Sequence, residues 1–156
     1  MRLHVLAIGD RLVDWQQTAC EDYARRFARP WSLELMPLRA EPRSEGRSTE
    51  RMAVAEGERL LAAVPRGARR VVLDERGRAL TTRQLAERLD DWQAGGGDAA
   101  FLLGGPDGHA ASVREQADLL LALSPMTLPH GLARVLLLEQ LYRATTILAG
   151  HPYHRD

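Results

Sequence analysis

The stretch Ala99-Ala100-Phe101-Leu102-Leu103-Gly104-Gly105-Pro106-Asp107-Gly108 decides the fold. Its first five residues are apolar, short and bounded by a turn, the pattern of a buried strand. The next five hold three glycines and a proline. Glycine permits positive φ and lets a ligand approach the backbone, and proline stiffens the turn. A strand that runs straight into such a bend is either a tight strand-to-helix turn or the wall of a ligand site. It is neither a Walker loop nor a dinucleotide G-x-G-x-x-G, whose spacings differ.

The same alternation continues on both sides. Leu3 to Ile8 predicts a strand ending at Gly9-Asp10. Asp14 is placed to cap a helix in which Trp15, Ala19, Tyr23 and Phe27 recur on one face, with Pro30 ending it. Trp31 to Leu38 alternates as a second strand, and the polar segment 39–48 carries three arginines with Pro42 and Gly46, the composition of a basic loop. Helical spacing over about 48–64 puts Glu50, Glu56 and Glu58 on exposed positions. Arg70 to Asp74 is a third strand followed by the turn Glu75-Arg76-Gly77. Thr81 or Thr82 caps a helix that runs through Trp92 to the glycines at 95–97. Beyond the decisive stretch come a short helix near 112–116, a strand at 119–123, the loop 124–129 and a long helix to Ala149. Strands each followed by a helix or loop make an α/β protein with a mostly parallel five-stranded sheet, in a single domain over 1–156.

Composition narrows the chemistry. The 156 residues carry 21 basic and 21 acidic side chains, so net charge is zero and binding driven by bulk positive charge is excluded. Every basic residue is arginine, which excludes a P-loop lysine and a Schiff-base lysine. The single cysteine, Cys20, excludes an intrachain disulfide and a cysteine-based zinc cluster, and it fits a reducing cytoplasm. The longest apolar stretch, about 132–148, is interrupted by Arg134, Glu139, Gln140 and Arg143, so no membrane partner is expected.

In a parallel α/β sheet, ligands sit beyond the carboxyl ends of the strands. The ends to inspect are Leu73-Asp74, Leu103-Gly104 and Leu123-Ser124. The loop Leu123-Ser124-Pro125-Met126-Thr127-Leu128-Pro129, braced by two prolines, is either a hydrophobic plug between sheet and helix or the wall of a flat-ring site. On the last helix Glu139, Arg143 and Thr146 share a stripe, and the arc centred on Leu137, Leu141, Ala144 and Leu148 is wider than one sheet face requires, which predicts a contact with another subunit. Arg134 falls in that arc and needs a carboxylate, a carbonyl or a phosphate, an ion pair being the simplest expectation. The tail His151-Pro152-Tyr153-His154-Arg155-Asp156 is an idle terminus, a functional tail or a metal site; Pro152 breaks the helical spacing a metal pair would use, and no metal is expected.

Taken together and in order, LLGGPDG (102–108), LSPMTLPH (123–130), LARVLLLEQLYRA (132–144) and the terminal HPYHRD (151–156) resemble the RlmH family within the SPOUT methyltransferase superfamily, which methylates N3 of a pseudouridine in 23S ribosomal RNA. The resemblance covers essentially the whole chain. It implies a SPOUT-type α/β knot with a C-terminal trefoil, a rare exception to unknotted topology. It also implies an obligate homodimer and S-adenosyl-L-methionine as methyl donor. Carried over, Leu73, Gly104, Gly105, Leu123, Ser124, Pro125, Met126, Thr127 and Leu128 would form the cofactor pocket. The other subunit's tail would bring His151, and the catalytic candidates Tyr153, His154 and Arg155, to the target base. Asp107 stands where the family pattern has glutamate, and His109 where it has an aliphatic residue.

The chemistry asked of these residues is in-line positioning and loss of an imide proton. His154 is the candidate base or orienting group, because imidazole titrates near neutrality. Tyr153 would stack or hydrogen-bond, and Arg155 would hold a phosphate or carbonyl. Zero net charge predicts weak binding to an isolated hairpin and recognition on the assembled ribosome, with contacts from 39–47 and the tail. The alternatives are a non-catalytic ribosome- or RNA-binding protein that retains the fold, and a small hydrolase using the terminal histidines with a metal.

Overall fold

The computed structural model describes residues 1–9, 11–43 and 46–153. Strand and helix alternate along the chain: β1 Arg2–Ile8, α1 Asp14–Arg25, β2 Ser32–Leu38, α2 Thr49–Ala63, β3 Arg69–Ala79, α3 Thr82–Ala94, β4 Ala99–Leu103, α4 Ala111–Glu115, β5 Leu119–Ala122 and α5 His130–Leu148. The strands form one sheet in the order β2-β1-β4-β3-β5, and every pairing is parallel. This is the α/β architecture that the alternation of apolar runs predicts.

Burial explains the strand sequences. All five residues of β4 are buried, and Phe101 and Leu102 are wholly shielded from solvent. One face of the sheet (Leu3, Val5, Val71, Phe101, Leu121) packs on Leu89 of α3 and on Leu137, Leu138 and Leu141 of α5. The other face (Leu6, Ile8, Val72, Leu102) packs on Leu60 of α2 and Val113 of α4. Each large side chain buried this way is worth about 1.5–3 kcal/mol against exposure. Because α5 touches both α1 and α3 as well as the sheet, its broad apolar arc is covered within its own chain. The width of the arc therefore does not require another subunit.

Helix starts follow the sequence closely. Ser48 accepts the Arg51 amide at 3.2 Å at the start of α2, and Thr81 with Gln84 forms a capping box for α3. Asp14, by contrast, is the first helical residue of α1, with Val13 preceding it. Trp15 is 57% exposed, while Tyr23 and Phe27 of the predicted face pack on the core beside buried Cys20. Helix α2 buries Met52, Ala53, Glu56, Gly57 and Leu60, so Glu56, expected in solvent, faces inward.

The third strand is longer than its apolar run suggests. Its pairing to β5 stops at Leu73↔Leu121 and resumes at Arg78↔Leu121, so 74–77 leave the ladder and return to it. Glycine permits the return: a Cβ on Gly77 would stand 2.7 Å from backbone atoms of Leu120 and Leu121. The expected turn at Glu75-Arg76-Gly77 is thus a bulge inside one strand. Gly77→Ala should lose about 1–3 kcal/mol in urea denaturation, because backbone on both sides cannot yield as a side chain can. Glu75→Ala, exposed on the same excursion, should change stability by no more than about 0.5 kcal/mol.

Candidate functional site

Three strand ends meet at one edge because β4, β3 and β5 are neighbours with parallel registers. Leu73 pairs with Leu103 on one side and with Leu121 on the other, so chain leaving β4 and β5 emerges on either side of the β3 bulge. Between them lies a cleft of about 660 Å³, within the range of a small-molecule site. Leu73, Gly104, Gly105, Leu123, Ser124, Met126, Thr127 and Leu128 all line it. Pro125 does not.

The first bend is held tightly. Gly105 and Gly108 form a two-residue antiparallel bridge, the Gly108 amide donating to the Gly105 carbonyl at 3.0 Å, and Gly108 has φ +75°. A Cβ on Gly104 would lie 3.0 Å from the Gly108 backbone. His109 sits beneath, 7% exposed, and its Nε2 accepts the Gly104 amide at 3.0 Å. Burial pushes the imidazole below its usual range, outweighing the opposite pull of Asp74. The neutral ring is therefore an acceptor here, a role that an aliphatic residue could not fill. Asp107 on the rim pairs with Arg43 of the arginine loop at 2.6 Å.

The second bend is organised by Ser124, whose hydroxyl accepts the Met126 amide at 2.9 Å. Met126 projects into solvent, 77% exposed. The β3 bulge adds Asp74, Glu75 and Arg76 to the wall, and Asp74 accepts the Arg76 amide at 2.9 Å while Arg114 stands 3.7 Å away. Arg114 also donates to the His109 carbonyl. Asp74 belongs to a strand end that the sequence marks for inspection, whereas Arg114 and His130 are lining residues to which it assigns no role.

Arg134 is 6% exposed and donates to the carbonyls of Gly9 at 2.8 Å and Ile8 at 3.3 Å, at the carboxyl end of β1. Backbone carbonyls, and not the expected ion pair, receive its terminal nitrogen, Nε is left without a hydrogen-bond partner, and desolvation lowers its pKa.

Tyr153 stands elsewhere. The Tyr153 ring packs edge-on against Tyr142 with centroids 4.7 Å apart, and the Arg143 guanidinium lies 4.9 Å over it. Its hydroxyl reaches Glu139 at 3.3 Å and Tyr23 at 3.5 Å. None of these partners lines the cleft. His151 accepts the Tyr153 amide on Nδ1 at 3.2 Å. His154 and Arg155 lie outside the described residues.

A parallel α/β sheet with two bends closing a cleft at adjacent carboxyl ends defines a ligand-binding α/β protein. A family profile described as "Predicted SPOUT methyltransferase" matches residues 1–154, and the chain belongs to that family. It is 55% identical to a protein of Methylibium petroleiphilum, 53% to one of Acidovorax ebreus and 51% to one of Chromobacterium violaceum. Each alignment spans 156 residues and the whole of both chains, and each relative is named ribosomal RNA large subunit methyltransferase H.

A depressed histidine contributes stability that is present above the unfolded pKa and lost as pH falls through the folded one. The stability difference between the wild type and His109→Leu, followed by urea denaturation, should stay constant above about pH 7 and turn against the wild type below the ordinary imidazole value near pH 6.5. A difference that stays flat into the acid range would show that the ring is not held neutral.

Proposed function

We propose that this chain is an S-adenosyl-L-methionine-dependent methyltransferase that methylates N3 of a pseudouridine in 23S ribosomal RNA, as a homodimer, on the assembled ribosome in the cytoplasm. The observation that carries the reading is the convergence of the two bends on one cleft, in a chain of the SPOUT family whose relatives bear a ribosomal RNA methyltransferase name. Among the described residues no helix is long and apolar enough to cross a membrane.

The cleft suits the donor on two counts. Gly104 and Gly105 line it where Gly108, His109 and Glu56 crowd the chain too closely for a Cβ, so the bend holds its place as bare backbone. Leu73, Leu103, Leu121, Leu123 and Leu128 give apolar walls, while Asp74, Ser124 and Thr127 offer polar groups for a ribose or an amino-acid moiety. When bound, S-adenosyl-L-methionine supplies a methyl group on a sulfonium, whose leaving group is a neutral thioether. The protein's share is to hold the base edge in line and to let the imide proton leave.

The tail supplies that share. Burial, the Tyr23 hydroxyl and the Glu139 carboxylate all hold the Tyr153 phenol well above its ordinary pKa, so Tyr153 contributes a ring and a neutral hydroxyl, not a proton acceptor. His154 takes or directs the proton and Arg155 binds a phosphate or carbonyl. Because Tyr153 rests on α1 and α5 of its own chain, away from the cleft, the tail serves the cleft of a second protomer. Exposed Trp15, Val13 and Leu132 support that pairing: they lie on helix ends that touch at Gln16 and Gly131.

Arg43 and Arg47 of the arginine loop are engaged by Asp107 and Glu41, which leaves few spare cations for naked RNA. Calorimetry with S-adenosyl-L-methionine should show binding, and mass spectrometry of ribosomal RNA from unmodified ribosomes should show one added methyl group on a pseudouridine. Absence of cofactor binding would turn the reading to an RNA-binding protein that retains the fold. His154→Ala should lower turnover by about 10²–10⁴-fold with cofactor affinity kept, and Tyr153→Phe, which keeps the ring, should lose less. Equal loss of affinity and turnover in His154→Ala would mean that the tail shapes the pocket instead.

A further inference from the structure

Glu56 is a carboxylic side chain buried within the described chain. It lies on α2, 2% exposed, and Met52, Ala53, Gly57 and Leu60 share its buried side of the helix. A carboxyl in such a place requires partners, since each buried oxygen without one is costly. One oxygen, Oε1, accepts the Glu41 amide at 2.9 Å, at the root of the arginine loop. The other, Oε2, has no hydrogen-bond partner and stands 2.8 Å from where a Cβ on Gly105 would be. Gly105 lines the cleft. The same two segments are joined a second time at the surface, where Arg43 pairs with Asp107 at 2.6 Å. Glu41 in turn holds Arg47 at 2.8 Å and also pairs with Arg59.

We propose that Glu56 is a positioning residue for the cleft: buried under the glycine bend and accepting an amide from the arginine loop, it sets the two segments against each other as one unit. Its carboxyl fills the space that the missing Gly105 side chain leaves, so the bend rests on Glu56 and cannot sink toward α2. Its Oε1 fixes where the arginine loop begins, and Arg43 then reaches the rim of the same bend. Nothing in this arrangement needs the cofactor to be present. The proposal uses the methyltransferase reading only to name what fills the cleft.

Hydrogen exchange in the unliganded protein tests the tie directly. Glu56→Ala should speed amide exchange in both 39–43 and 104–108 while the protection of β1 and β4 stays as in the wild type. Glu56→Gln, which keeps the shape and an acceptor for Glu41, should restore slow exchange. In calorimetry Glu56→Ala should weaken S-adenosyl-L-methionine by about tenfold, the scale of one lost buried hydrogen bond, with Glu56→Gln within about twofold of the wild type. Glu58→Ala, exposed on the same helix, is the control and should match the wild type.

The contact with Gly105 is tested by a cycle. Gly105→Ala should weaken binding by itself, because its methyl meets Oε2 of a side chain too buried to swing away. With the carboxyl removed or withdrawn in the same chain, the methyl has room on that side, and the combined loss should be smaller than the sum. Ile8 lies 3.2 Å from the same Cβ position in both backgrounds, so its contribution cancels. Should Glu56→Ala fail to fold, Glu56→Asp, which draws the carboxyl back from Gly105, serves in both the exchange experiment and the cycle. Exchange at 104–108 unchanged by either variant, additive losses in the cycle, or Glu56→Gln as impaired as Glu56→Ala would overturn the proposal. A wild-type protein that fails to bind S-adenosyl-L-methionine would strike the functional reading and leave the exchange result to decide on Glu56.

Discussion

The pairing of Leu73 with both Leu103 and Leu121 is the constraint on which the site depends. Parallel strands send their carboxyl ends to one edge of a sheet, and neighbours in register send them to one level. Because β3 lies between β4 and β5, the glycine bend and the serine-organised bend leave the sheet on opposite sides of one gap. The bulge of β3 then fills the floor of that gap with Asp74 and Arg76, while Gly77 lets the strand rejoin the ladder. A slip of the β3–β5 register would shift the serine-organised bend against the bulge and the glycine bend.

Buried polar groups gather at the same edge. Arg134 serves the end of β1, His109 holds the amide at the end of β4, and Glu56 lies beneath the bend that follows β4. Elsewhere the interior of the sheet is apolar among the described residues, with His4 the exception at the opposite edge near Glu34 and Asp98. Leucine at any of the three sites would spare desolvation. What the polar side chains add is direction: each fixes a particular backbone group or keeps a particular space open. Desolvation lowers the pKa of His109 and raises that of Glu56, and in both cases it favours the neutral form. The glycine bend is thus supported from beneath by groups whose charge burial opposes.

The sheet and both bends were legible because they rest on local signals. Five apolar residues before glycine give β4, and two prolines around Ser124 to Leu128 mark the second loop. Neighbouring strands brought the two together, and that followed from the class of sheet. What escaped depended on contacts far along the chain. Glu56 was read as exposed because glutamate usually is, although Met52, Ala53, Gly57 and Leu60 already placed it on the buried stripe. For Arg134 the sequence leaves a carboxylate, a carbonyl and a phosphate open with an ion pair the simplest, and the carbonyls it reaches belong to residues more than a hundred positions earlier. The breadth of the α5 arc pointed outward to a partner when α1 and α3 already covered it. No local pattern reports which helix lies beside which.

The tail separates two parts of the chemistry within one chain. Cleft-lining residues lie at the ends of β3, β4 and β5, whereas Tyr153 is fastened to Tyr23, Glu139, Tyr142 and Arg143 on the α1–α5 layer. That fastening is specific: an edge-on ring contact, a guanidinium over the ring face and two hydroxyl contacts hold a residue three places from the chain end. On the proposed reading the anchor fixes where the last residues begin, and the cleft they serve is one that the same chain cannot bring to them. On that reading, pairing of two protomers joins the cleft of one to the tail of the other, and the distance of Tyr153 from its own cleft is the observation that favours the pairing.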